Sequence, residues 1–97
     1  MRVMDSIDGQ SHIAADVLCR YAADAARDVK GVTGLVGRHG GVKIEDGSLE
    51  LRLSVEWGAS LPEVGEAVQR RVTEYLGQMA DVRPASVDVV IDEIGAP

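Results

Sequence analysis

Nine consecutive residues, Leu49 to Trp57 (LELRLSVEW), alternate apolar and polar without interruption. Side chains on a strand point alternately to opposite faces, so Leu49, Leu51, Leu53, Val55 and Trp57 are predicted to face a core. Glu50, Arg52, Ser54 and Glu56 are then predicted to face water. A sheet with one wet face excludes a parallel sheet buried on both sides, which would read as an unbroken apolar run. None of the wet-face residues is a nucleophile, metal cluster or phosphate cradle, so chemistry has to be sought elsewhere.

The rest of the chain supplies the other layer. From about Ile13 to Lys30, Ala14, Val17, Leu18, Tyr21, Ala22, Ala25 and Val29 recur at the three- and four-residue spacing of a helix with one buried stripe. Asp16, Arg20 and Asp24 line its outer face at i,i+4 spacing, and Gly31 is placed to end it in the left-handed conformation. Residues 1–11 read as a flexible lead-in, with an edge strand at Arg2 to Met4 as an option. Val32 to Val36 and Val42 to Ile44 read as short strands around the break Gly37-Arg38-His39-Gly40-Gly41. Asp46-Gly47 has the composition of a tight hairpin leading into the long strand. Ser60-Leu61-Pro62-Glu63 matches a capping box at the start of a second helix. Its predicted stripe is Leu61, Val64, Val68, Val72, Tyr75, Leu76 and Met79. Val87, Val89 and Ile91 then alternate with Ser86, Asp88, Val90 and Asp92 in a last strand, and 95–97 form a tail. The expected fold is α+β, a two-layer sandwich in the order α-β-β-β-α-β. Two helices pack on one face of a three- or four-stranded mixed sheet.

With 97 residues there is room for one core, assigned to 12–94. One Trp, two Tyr and no Phe leave that core to Val, Leu, Ile and Ala. Ten Lys and Arg against sixteen Asp and Glu give a net charge of -6. With Arg70-Arg71 the only adjacent basic pair, binding to nucleic acid or an anionic membrane is disfavoured. No run approaches the roughly 20 apolar residues of a membrane span, and the start MRVMDSIDG has no signal-peptide core. A cytoplasmic location is expected. Cys19 is the only cysteine and is read as a small core filler rather than a reactive thiol.

Candidate sites weigh against simpler readings. His12 and His39 lack partner ligands at metal-site spacing, so no metal or cofactor is expected. Gly37-Arg38-His39-Gly40 has the GxxG outline of an RNA-binding KH loop, which must join two helices. Here it lies between extended runs and reads as a turn. A KH-like nucleic-acid-binding domain is the alternative reading, and it requires Arg38, His39, Lys43, Arg70 and Arg71 to converge. Glu56, Glu63, Glu66 and Glu74 fall on predicted polar faces, where Glu66–Arg70 and Arg70–Glu74 have helix-pair spacing, and Asp88, Asp92 and Glu93 mark the outer face of the last strand.

Several short pieces in order carry a resemblance. They are Val29-Lys30-Gly31-Val32-Thr33-Gly34-Leu35, Gly41-Val42-Lys43-Ile44, Trp57-Gly58, Leu61-Pro62-Glu63-Val64, Val68-Gln69-Arg70-Arg71-Val72 and Ser86-Val87-Asp88-Val89-Val90-Ile91. From about His12 to Ile94 the chain resembles the alkaline shock protein (Gls-type) envelope stress response family of bacteria. It departs at the first helix start, where Ala14-Ala15-Asp16 replaces a Ser-Pro-Glu type, and at Trp57, where Tyr is common. The charged extensions of longer members are missing. The resemblance implies a non-enzymatic cytoplasmic protein tied to cell-envelope stress and prone to self-association. A protein partner, such as a small membrane anchor protein, would hold it near the membrane without direct insertion. It supplies no catalytic residues. The expected interaction surface is the outer sheet face, Glu50, Arg52, Ser54, Glu56, Asp88, Val90 and Asp92, or an unpaired strand edge beside it.

Overall fold

The computed structural model describes the backbone from Asp8 and the side chains from Ala15 to the end of the chain. The option of a strand at Arg2 to Met4 lies outside the described residues. The elements are α1 (Asp8–Arg27), β1 (Val32–Leu35), a 3-10 turn (Arg38–Gly41), β2 (Val42–Glu45), β3 (Ser48–Val55), α2 (Leu61–Ala80) and β4 (Ser86–Ile94). This is the α-β-β-β-α-β sandwich expected from the periodicities. The lead-in is shorter than expected, because residues 8–11 are already helical.

The sheet is built around β3. β4 runs parallel to it over the whole strand, from Ser48↔Ser86 to Val55↔Ile94. β1 pairs antiparallel with its C-terminal end and β2 antiparallel with its N-terminal half. A strand has two edges and β4 fills one along its length, so β1 and β2 share the other, end to end, with the 3-10 turn between them. Among the described residues the sheet is mixed, with four strands standing three abreast. Asp46 and Gly47 join β2 to β3 with φ of 53° and 79°. Two left-handed residues make the turn whose twist matches a hairpin.

The alternation of β3 is realised in the burial of Leu49, Leu51, Leu53 and Val55. Trp57 breaks the pattern and is 62 % exposed. The ladder ends at Val32↔Val55, a last bond runs from Glu56 N to Gly31 O, and Gly58 at φ 86° turns the chain off the sheet. Without a neighbouring strand, period two no longer fixes which side Trp57 takes.

Both helices cover the inner face. α1 buries Ala22, Ala23, Ala25 and Ala26, with Leu18 and Tyr21 half-buried beside them. Alanines leave little bulk between helix and sheet, so the backbones pack closely. α2 buries Val64, Val68, Val72 and Leu76, while Leu61 and Met79 at its ends remain exposed. Tyr21 and Tyr75 meet edge to face, 5.7 Å between centroids at 89°, and pin the helices together. Gln69 donates from Nε2 to the Val87 carbonyl at 2.9 Å and ties α2 to β4.

Three local expectations are corrected. α1 ends at Arg27, so Gly31 is not its cap. At φ 97° Gly31 instead turns the chain into β1, where a Cβ would stand 3.0 Å from Val64 Cγ2. Ser60 caps α2 by position, but its side chain makes no capping bond. The other end of α2 stops at Asp81, left-handed at φ 54°, where the backbone N–H turns back to Leu76 O. Among the helix-face pairs, Glu66 meets Arg70 at 3.7 Å, whereas Asp24 meets Arg27 at 3.2 Å rather than Arg20.

Candidate functional site

Among the described residues, a two-layer fold leaves the second face of the sheet uncovered. Register decides what stands there. Glu50 lies between Lys43 of β2 and Asp88 of β4, and Arg52 lies beside Val90. Arg52 Nε is 3.7 Å from Glu50 Oε1, and its Nη1 is 3.7 Å from Asp92 Oδ1. Lys43 Nζ is 3.6 Å from Glu45 Oε1. Ser54 Oγ and Thr33 Oγ1 share a 2.8 Å hydrogen bond, and Ser86 donates to Ser48 at 2.9 Å. The ion pairs stay solvated, with Arg52 and Asp92 side chains both 44 % exposed, so each contributes well under about 1 kcal/mol. Their effect is to order the side chains of an open face.

Of the seven residues expected to form this surface, six gather as anticipated: Glu50, Arg52, Ser54, Asp88, Val90 and Asp92. Glu56 does not. It lies past the end of β3 and lines a separate groove of about 470 Å³ with Trp57, Ser60 and Glu63. Lys43 and Glu45 join the outer face although neither was expected in this surface. The alternation of Val42-Lys43-Ile44-Glu45 next to the Asp46-Gly47 hairpin was the signal for them. Glu93 also comes beside Ser54, because the pairing skips one residue after Leu53↔Ile91. No sequence signal marks that bulge.

A second arrangement sits at the margin of this face. Arg38 and His39 of the 3-10 turn, Lys43 of β2 and Arg52 of β3 line an open groove of about 580 Å³, with Glu50 and Asp92. The turn is held in an uncommon backbone: Gly37, His39, Gly40 and Gly41 have φ of 98°, 56°, 69° and 80°. Arg70 and Arg71 are elsewhere, beside Val29, Lys30 and Glu74. Arg71 Nη2 is 2.6 Å from Asp28 Oδ2 and ties α2 to the turn after α1. The five basic residues that a KH-like surface requires therefore do not converge, and the GxxG segment joins two strands.

Cys19 is half-buried at the margin of the core. Burial, and then the charge of Asp16, push its thiol up. Among the described residues no three His, Cys, Asp or Glu side chains gather as a metal site would need. No helix among them is long and apolar enough to cross a membrane.

No family model matches the chain, and no curated protein matches it. Solved structures do. A single-substitution form of the MamM CTD superposes with a TM-score of 0.58 at 23 % identity, covering 89 % of this chain and 99 % of that one. MamM-CTD 215-293 gives 0.58 at 21 % identity, covering 81 % and 98 %. A cadmium form of a substituted MamM CTD gives 0.56 at 23 %, covering 79 % and 94 %. At these identities the likeness establishes the fold.

Proposed function

We propose that this domain is a non-enzymatic binding or scaffold module that works through protein–protein contacts and self-associates through the outer face of its sheet. The observation that carries this is the sheet face that the described residues leave uncovered. Lys43, Glu45, Glu50, Arg52, Asp88 and Asp92 form an ordered field of both charges around the half-buried Val90. Mixed charge on one face lets two copies meet with opposite signs opposed. The edge of β4 left unpaired among the described residues is a poorer candidate. Antiparallel self-pairing centred on Val90 sets Asp88 against Asp92 of the second copy, and like charges directly opposite are destabilising. An acidic edge of this kind guards against strand addition.

The resemblance to the alkaline shock protein family extends the reading to a bacterial envelope-stress scaffold, cytoplasmic and held near the membrane by a small anchor protein. The likeness to the MamM CTD supports the architecture and leaves that assignment to experiment. Sedimentation velocity over a concentration series tests self-association. Arg52→Glu and Val90→Lys should each weaken it about tenfold or more, a loss of about 1.4 kcal/mol, with the circular dichroism spectrum unchanged. Unchanged assembly in both variants moves the interface to the helices. Crosslinking in the source cell should recover a membrane protein; recovery of soluble enzymes alone counts against the anchor.

A further inference from the structure

Four basic side chains from three elements meet at one groove in a chain whose net charge is -6. Arg38, His39 and Lys43 lie within six residues, and Arg52 joins them because β1 and β2 lie end to end along β3, with the turn folded between them. The turn that presents Arg38 and His39 is also strained. His39 adopts φ 56°, a left-handed conformation that costs a non-glycine residue roughly 1–2 kcal/mol. Gly41 beside it has no room for a side chain, since a Cβ would stand 2.8 Å from Leu35 Cβ and 2.9 Å from Val36 O. Left-handed non-glycine residues of this kind are found in turns and also at ligand clamps.

The groove's chemistry selects its occupant. Arg52 is already balanced by Glu50 and Asp92, each 3.7 Å away. Among the described residues Arg38 and His39 have no ion-pair partner, and the exposed Lys43 can exchange Glu45, 3.6 Å away, for a compact anion; their number suits a dianion better than a single carboxylate. The two carboxylates repel a bare polyanion and accept hydrogen bonds from hydroxyl groups. A volume of about 580 Å³ suits a small organic molecule. A nucleic acid strand needs a longer basic stripe, and Arg70 and Arg71 lie elsewhere. We propose that this groove binds a small hydroxyl-bearing phosphomonoester, its phosphate held by Arg38, His39 and Lys43 and its hydroxyls by Glu50 and Asp92.

Glycerol 1-phosphate titrated into the full chain, followed in backbone amide nitrogen–proton correlation spectra, tests this. Saturable shifts are expected at residues 38–41 and 43, with binding about tenfold tighter than for inorganic phosphate. Glycerol alone should leave these signals in place. Arg38→Ala and Lys43→Ala should each weaken binding about tenfold while the remaining spectrum reports an intact fold. Arg70→Ala with Arg71→Ala removes the same kind of charge elsewhere and should change nothing. Shifts that never saturate, or that centre on Arg70 and Arg71, overturn the proposal. So does binding to phosphatidic acid vesicles without binding to the soluble ester.

Discussion

Replacing Gly41 by alanine adds one methyl group at the point where β1, the 3-10 turn and β3 meet. Two costs arise there. Gly41 has φ 80°, and the left-handed region costs an L-residue about 1–2 kcal/mol. The new Cβ would also stand 2.8 Å from Leu35 Cβ, 2.9 Å from Val36 O and 3.1 Å from Arg52 O. Two of those neighbours are backbone atoms of a hydrogen-bonded ladder, in which Val36 N donates to Arg52 O at 3.0 Å. They cannot swing aside as a flexible side chain does, and overpacking of this kind costs roughly 1–3 kcal/mol. The sum is about 2–5 kcal/mol, a large part of the 5–15 kcal/mol typical of a domain. Gly40→Ala is the control: its φ is 69°, but nothing lies within 4 Å of the added carbon. It carries the conformational cost alone. At about 4–8 °C per kcal/mol for a domain near this size, Gly40→Ala should lower Tm by roughly 4–16 °C. Gly41→Ala should fall well below that, or fail to fold. Urea unfolding with a constant m-value gives the free energies. Equal losses in the two variants would refute the reasoning, because the steric term would then be missing.

Other outcomes follow from the same geometry. Leu53→Ala, at the fully buried centre of β3, should cost about 3 kcal/mol in urea unfolding, within the range for buried leucines. Ser60→Ala should cost only a few tenths of a kcal/mol, below the usual ~1 for a helix cap, because Ser60 makes no capping bond. Arg71→Ala should cost less than about 1 kcal/mol despite the short contact with Asp28, since both groups are solvated. The Cys19 thiol is pushed up by burial and then by Asp16, so iodoacetamide should label it more slowly at neutral pH than a free cysteine peptide. A raised thiol contributes fully at neutral pH and loses its contribution as pH climbs past the ordinary thiol range. Stability should therefore fall more steeply above that range than in Cys19→Ala.

Much of the architecture was legible in the chain because periodicity is a local property that burial enforces. The unbroken alternation from Leu49 to Val55 set the facing of β3, and Asp46-Gly47 set the hairpin. The helical stripes of Val64, Val68, Val72 and Leu76, and of Leu18, Ala22 and Ala25, set the second layer. Glu50, Arg52 and Ser54 could be placed on the outer face for the same reason. What tertiary structure decided is how the pieces meet. Trp57 continued the pattern in sequence but lost its neighbouring strand, so its side was free to change. The bulge after Leu53↔Ile91 set Glu93 opposite Ser54 through pairing with β3, a register that no local signal encodes. The gathering of Arg38, His39, Lys43 and Arg52 depends on β1 and β2 sharing one edge of β3. Residues far apart in sequence become neighbours only through that register, and Gly41 must be glycine only because Leu35 and Val36 pack against it.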